Sequence, residues 1–126
     1  MLAIDLLIFD FDGTLVDTSQ GIVAAVNHSL GKMGLPAKKP SEIIEGVGFG
    51  LDYLIERALN SRDKNQVKVA VDHYLEYYRA NACEQSFLYP HVREVLEFFS
   101  FKTKVIVSNK TARSMKMLLK ALKVDM

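Results

Sequence analysis

Two short β-branched runs constrain most strongly what this chain can become. Residues 4–9 (IDLLIF) form an almost continuous apolar stretch, and residues 104–107 (KVIV) form another. Runs of this length with little polar alternation belong to strands buried in parallel sheets. Parallel strands need a long crossover, and the segment between these two reads as helix and turn throughout. The order is strand, turn and helix, then a helix-rich insert, then helix, strand, turn and helix. That alternation predicts an α/β protein built on parallel strands.

The helices are legible from their spacing. Ile22, Val23, Val26, Leu30 and Met33 make one apolar stripe, with Thr18 or Ser19 placed to cap it and Gly34 placed to stop it. Pro40 opens a short helix. Leu51, Leu54, Ile55, Ala58 and Leu59 mark the next, and Val67, Ala70, Val71, Tyr74, Leu75 and Tyr78 mark a longer one. No segment of this middle region reads as a strand. After Tyr89-Pro90, residues 91–99 carry Val92, Val95, Leu96 and Phe99 on one face. A last helix shows Ala112, Met115, Leu118, Leu119 and Leu122 at helical spacing. An insert placed directly after the first strand and its loop lies over the carboxyl ends of the strands, where open α/β sheets take their ligands.

Composition removes several alternatives. The 126 residues are 49% hydrophobic with a net charge of +1, which fits one globular domain and not a disordered chain. Near-neutrality argues against a dedicated nucleic-acid binder. No apolar run approaches the ~20 residues of a membrane span, and the first ten residues lack the basic start of a signal peptide. A single cysteine, Cys83, rules out an internal disulfide framework and fits a reducing, cytoplasmic setting.

The chemistry concentrates where the first run ends. Asp10 closes the strand and Asp12 follows two residues later, so both carboxylates face one side of an extended segment. Left bare they repel each other, and a hard cation such as Mg²⁺, which takes a small number of carboxylates plus phosphate oxygens, relieves this. A carboxylate can also attack phosphorus as a nucleophile, while a second one handles the proton of the leaving oxygen. Gly13 allows close backbone approach, and Thr14 offers a hydroxyl and an N–H. The bland alternative is an ordinary Asp-Gly turn. Residues 9–18, FDFDGTLVDT, resemble the first signature of the haloacid dehalogenase-like phosphohydrolases, DxDGT followed by Leu or Val. The resemblance implies that Asp10 is nucleophile and metal ligand. It implies that Asp12 is general acid/base and offers its carbonyl to the metal. Asp17 lies in the same segment and is read as ordering the loop.

Ser108 and Asn109 follow the second run, where a hydroxyl and an N–H suit a phosphoryl oxygen. Alone, Ser108 reads more readily as the cap of the last helix than as a phosphate contact. Beside the first motif, VIVSNK resembles the family's second signature, and its Asn-Lys is similar to phosphoglycolate phosphatases. Lys110 is a further candidate for charge near the site. The region 19–87 resembles the family's α-helical cap, with the discontinuous core in 1–18 and 88–126. Within it the segment GVGFG, residues 46–50, is either a flexible connection or a loop facing substrate. Arg57, Lys38 and Lys39 read as solvated charge, and Cys83, Tyr74, Tyr77 and Tyr78 as packing. His28, His73 and His91 read as structural or exposed.

The resemblance also implies a third signature, a Lys or Arg, and a fourth, an acidic pair, both beyond the second. Residues 111–126 are taken up by one helix, and Lys116, Lys120 and Lys123 on it are not assigned to the third signature. The expected architecture is therefore a partial Rossmann-like core with an inserted helical cap, its strand edges uncovered. Self-association or a complementary chain would cover them. The expected activity is Mg²⁺-dependent hydrolysis of a small phosphorylated metabolite through an aspartyl-phosphate, with no nucleic-acid or membrane partner. A pyrophosphatase or sugar-phosphate mutase on the same fold is an alternative. A non-catalytic fragment or pseudoenzyme half is another.

Overall fold

In a computed structural model, residues 3–126 are described. Strand β1 (Leu6–Phe9) pairs in parallel with β4 (Thr103–Ile106), with Leu6 opposite Thr103 and Phe9 opposite Ile106. The Val107 N–H donates to the Phe9 carbonyl at 2.9 Å, extending the ladder by one residue. Asp10 and Ser108 therefore leave the pair at the same end, as the parallel reading of the two runs requires.

Between these strands lie β2 (Val16–Asp17), α1 (Ser19–Lys32), α2 (Pro40–Ile44), α3 (Leu51–Leu59), α4 (Lys64–Asn81), β3 (Phe87–Leu88) and α5 (Val92–Phe98), and α6 (Ala112–Ala121) follows β4. β2 and β3 form a two-residue antiparallel ribbon, Val16 opposite Leu88 and Asp17 opposite Phe87. The Tyr89 N–H continues it to the Leu15 carbonyl at 3.2 Å. The ribbon adds two short strands to a stretch read as helix and turn, outside the helix-rich middle from Pro40 to Tyr78, which carries no strand, as expected. The ribbon joins the entry of the helical insert to its exit and straddles the expected boundary between residues 87 and 88.

The helix ends follow local chemistry, with one exchange of roles. Neither Thr18 nor Ser19 caps α1 with its side chain. The Asp17 carboxylate accepts from the Ser19 N–H at 3.1 Å and from its hydroxyl at 2.6 Å. Gly34, at φ +73° just past the helix, ends it as expected. Asp63 caps α4 by accepting from the Asn65 and Gln66 amides, both at 3.0 Å. Thr111, and not Ser108, caps α6 by accepting from the Ser114 N–H.

One hydrophobic cluster holds the insert and reaches into the loops. Ile22, Val26 and Leu30 of α1 meet Leu54 and Ile55 of α3 and Val67, Ala70, Tyr74 and Tyr78 of α4, with Phe11 and Leu118 also buried. Full burial of each large side chain contributes about 1.5–3 kcal/mol. Deep in this cluster the Ser29 hydroxyl donates to the Ala70 carbonyl at 2.6 Å, tying α1 to α4. Cys83, expected as packing within the insert, is packed against this cluster and also meets α6, its sulfur 4.0 Å from the Met117 carbonyl. Among the described residues no helix is long and apolar enough to cross a membrane.

Candidate active site

The loop after β1 is wound around one buried side chain. Phe11 is fully buried, and its carbonyl accepts from the amides of Thr14, Leu15 and Val16. With Phe11 driven inward, Asp10 and Asp12 are left on the opposite side, facing a cavity of about 320 Å³ that Ser108, Asn109 and Lys110 also line. The two expected motifs thus meet in one place.

The carboxylates are held differently. Asp10 is exposed, and one oxygen accepts from the Phe11 N–H at 2.7 Å. Asp12 is largely enclosed. Its Oδ1 accepts from the Thr18 hydroxyl at 2.7 Å and from the Lys110 ammonium at 3.0 Å. The Lys110 side chain is 9% exposed and that of Asp12 15%, so this is a buried ion pair whose worth rests on its additional hydrogen bonds. Burial lowers the Lys110 pKa from its ordinary value, while the charge of Asp12 and its hydrogen bond oppose the shift. The ammonium also sits over the ring of Tyr78, 4.6 Å from its centroid. Burial pushes the Tyr78 phenol upward, with the charges of Asp12 and Cys83 adding to it. The Tyr74 phenol is raised mainly by burial, then by Tyr78 and Asp12.

Ser108 accepts from the Lys110 N–H at 3.1 Å, a turn that leaves its own hydroxyl hydrogen free to donate. Asn109 reaches across to the insert and donates through Nδ2 to the Gly48 carbonyl at 2.7 Å. That contact brings the segment 46–50 to the site, where Val47, Gly48 and Gly50 line the cavity. Gly48 and Gly50 have φ of +114° and +94°, a backbone path that other residues rarely take. Gly13 and Thr14 stand apart from the other candidates. The Gly13 amide donates to the Val16 carbonyl and the Thr14 amide to Phe11, so both N–H groups serve the loop and neither residue lines the cavity.

Arg57 pairs with Glu45 at 2.7 Å and borders a separate, smaller depression with Lys38. Of the histidines, His28 lies against the Tyr77 ring, tilted by 32° to it, and His91 is exposed beside Glu94. The sequence reading missed Thr18, Tyr74 and Tyr78 as residues of the site. Tyr74 and Tyr78 share one face of α4, a signal their spacing of four carried, but spacing alone does not distinguish core from cavity wall.

The sequence model of the haloacid dehalogenase-like hydrolases matches residues 7–126. A phosphoglycolate phosphatase of Haemophilus influenzae is 34% identical over 127 residues, covering 93% of this chain and 57% of its own length. A crystal structure of a predicted phosphoglycolate phosphatase from Haemophilus somnus superposes with a TM-score of 0.89 at 28% identity, over 95% of this chain and 58% of that one. A predicted phosphatase from Clostridium acetobutylicum gives 0.86 at 26% identity, over 95% and 56%. The chain therefore spans a little over half the length of these relatives. The fold, the paired signatures on one cavity and the match over nearly the whole chain agree: this chain belongs to the haloacid dehalogenase-like hydrolases.

Proposed function

We propose that the protein hydrolyses a small phosphomonoester, in the manner of phosphoglycolate phosphatase. One observation carries this reading: Asp10 and Asp12, from one motif, and Ser108, from the other, open on the same cavity. An Asp10 oxygen attacks phosphorus, forming an acyl-phosphate bond as the bond to the leaving alkoxide breaks. Asp12, in its protonated form with the proton on the oxygen its hydrogen bonds leave free, gives that proton to the alkoxide. It then takes one from water, which attacks phosphorus, releases inorganic phosphate and restores Asp10. The Ser108 hydroxyl and the Asn109 N–H hold phosphoryl oxygens. The insert acts as a cap that limits water and shapes the leaving-group side with Val47, Gly48 and Leu51.

The donor set suits Mg²⁺. The hydrogen bond to Asp10 engages Oδ1, leaving its Oδ2, together with the Asp12 backbone carbonyl that the family resemblance implies, for a hard cation that takes one or two carboxylates and completes its shell with water. Among the described residues no cluster of three or more ligating side chains surrounds them. When bound, the ion neutralises charge on the phosphoryl group. The lone Cys83 and the near-neutral charge support a cytoplasmic enzyme acting on a metabolite, with no nucleic-acid partner.

The test is phosphate release by the full-length protein from a panel that includes 2-phosphoglycolate, with and without Mg²⁺. Asp10→Asn is expected to lower kcat on the order of 10⁴-fold; full activity in that variant would overturn the mechanism. Product analysis separates a pyrophosphatase or a mutase. The uncovered strands β1 and β4 favour one other reading, a non-catalytic half that works by association, and absence of turnover at saturating Mg²⁺ would select it.

A further inference from the structure

Lys110 and Tyr78 come from different parts of the molecule, the loop after β4 and helix α4 of the insert. They meet inside the site, with the ammonium 4.6 Å from the ring centroid and 3.0 Å from Asp12. The ring is well fixed. Tyr74 stacks against it at 5.3 Å and 12°. On α1, the position a Gly21 Cβ would take lies 3.7 Å from the ring's Cε1, ordinary van der Waals distance, so this helix borders the ring's edge. Among the described residues the Tyr78 hydroxyl, which is buried, has no hydrogen-bond partner, so what this side chain offers the site is its face. A lysine on a flexible four-carbon stem needs such a seat to stay in one geometry, and a desolvated ammonium over an aromatic face is held electrostatically.

We propose that Tyr78 is a positioning residue: its ring face holds the Lys110 ammonium against Asp12, so the helical insert helps set the placement of the acid–base carboxylate. This rests on the role given to Asp12 above.

A double-mutant cycle in the full-length protein tests it, with p-nitrophenyl phosphate as the substrate probe. Tyr78→Leu is expected to lower kcat about tenfold with KM changed less than about twofold, the mark of a group that shapes the reacting geometry and not binding. Tyr78→Phe, which keeps the face, is expected to recover most of that loss. In a Lys110→Met background, Tyr78→Leu is expected to cost less than about twofold, because the pair acts as a unit. An equal cost in both backgrounds, or a Phe variant as impaired as the Leu variant, would overturn the proposal. The same four proteins unfolded in urea separate the two possible failures. Non-additive midpoints without turnover in any of them would support the ring–ammonium seat and overturn the phosphatase reading. Additive midpoints together with additive kinetics would overturn the seat itself.

Discussion

The helical insert and the strand pair it covers have opposite relations to solvent. In the insert, Leu30 and Ile55 are 2% and 1% exposed, and α1, α3 and α4 bury their stripes in one another. In the strand pair, every second residue is open: Leu6 is 48% exposed and Ile8 61%, and Phe98 and Phe101, in the segment leading into β4, exceed 70%. Both regions are rich in Leu, Ile and Val. They differ in how far away the partners are. Helices in sequence can close on each other through short connections, whereas a parallel strand buries both faces only when further elements are laid over them. The insert thus buries its stripes largely within itself, with Phe11 and Leu118 completing the cluster. The strand pair is a platform that delivers Asp10 and Ser108 to one edge and leaves its other surfaces open.

That contrast can be broken most directly by truncating matched side chains. Leu30→Ala is expected to cost about 2–5 kcal/mol in urea unfolding, and Ile8→Ala no more than about 0.5 kcal/mol; similar costs would refute the division. The open face gives a second, smaller effect. Ile8 and Val105 are opposite each other in the ladder and both are exposed. The 126-residue chain is expected to self-associate with rising concentration by light scattering. Ile8→Lys with Val105→Lys is expected to weaken that association by about tenfold or more through charge on the exposed surface. Unchanged association would place the contact elsewhere.

The same contrast explains what the sequence disclosed. β1, β4 and the helices were readable because apolar runs and stripes are local signals, and the motif loops followed from the strand ends. The ribbon of Val16–Asp17 with Phe87–Leu88 was not, because two-residue strands have no period and their pairing is a tertiary event. Thr18 and Asp17 exchanged roles for a related reason. Thr18 has the chemistry of a helix cap, but the fold places Asp12 within 2.7 Å of its hydroxyl, and Asp17 takes up the cap. Lys110 was a candidate by position alone, and its bond to Asp12, 98 residues earlier, needs the parallel pairing to exist first. Tyr78 carried the signal of a core residue, and it is one. Its ring also forms part of the site, which periodicity does not report.

The dry interior of the insert should also be visible in alkaline titration, the smallest of these effects. Tyr74 and Tyr78 have phenol pKa values raised above the ordinary 10.0, in both cases first by burial. A raised folded-state value means that the native protein holds its phenolic protons after the unfolded chain has lost them. Their contribution to stability is therefore fully present below pH 10 and declines as pH rises from there toward the folded-state values. Phenolate absorbance against pH is expected to show two of the five tyrosines lagging, their signal appearing together with the loss of helical circular dichroism. Tyr78→Phe should leave a single lagging phenol and make the alkaline decline in stability shallower, since one fewer proton separates the folded from the unfolded chain. If all five ionise while the helices stay intact, water reaches the α1–α4 interior, and the insert is no drier than the open strands.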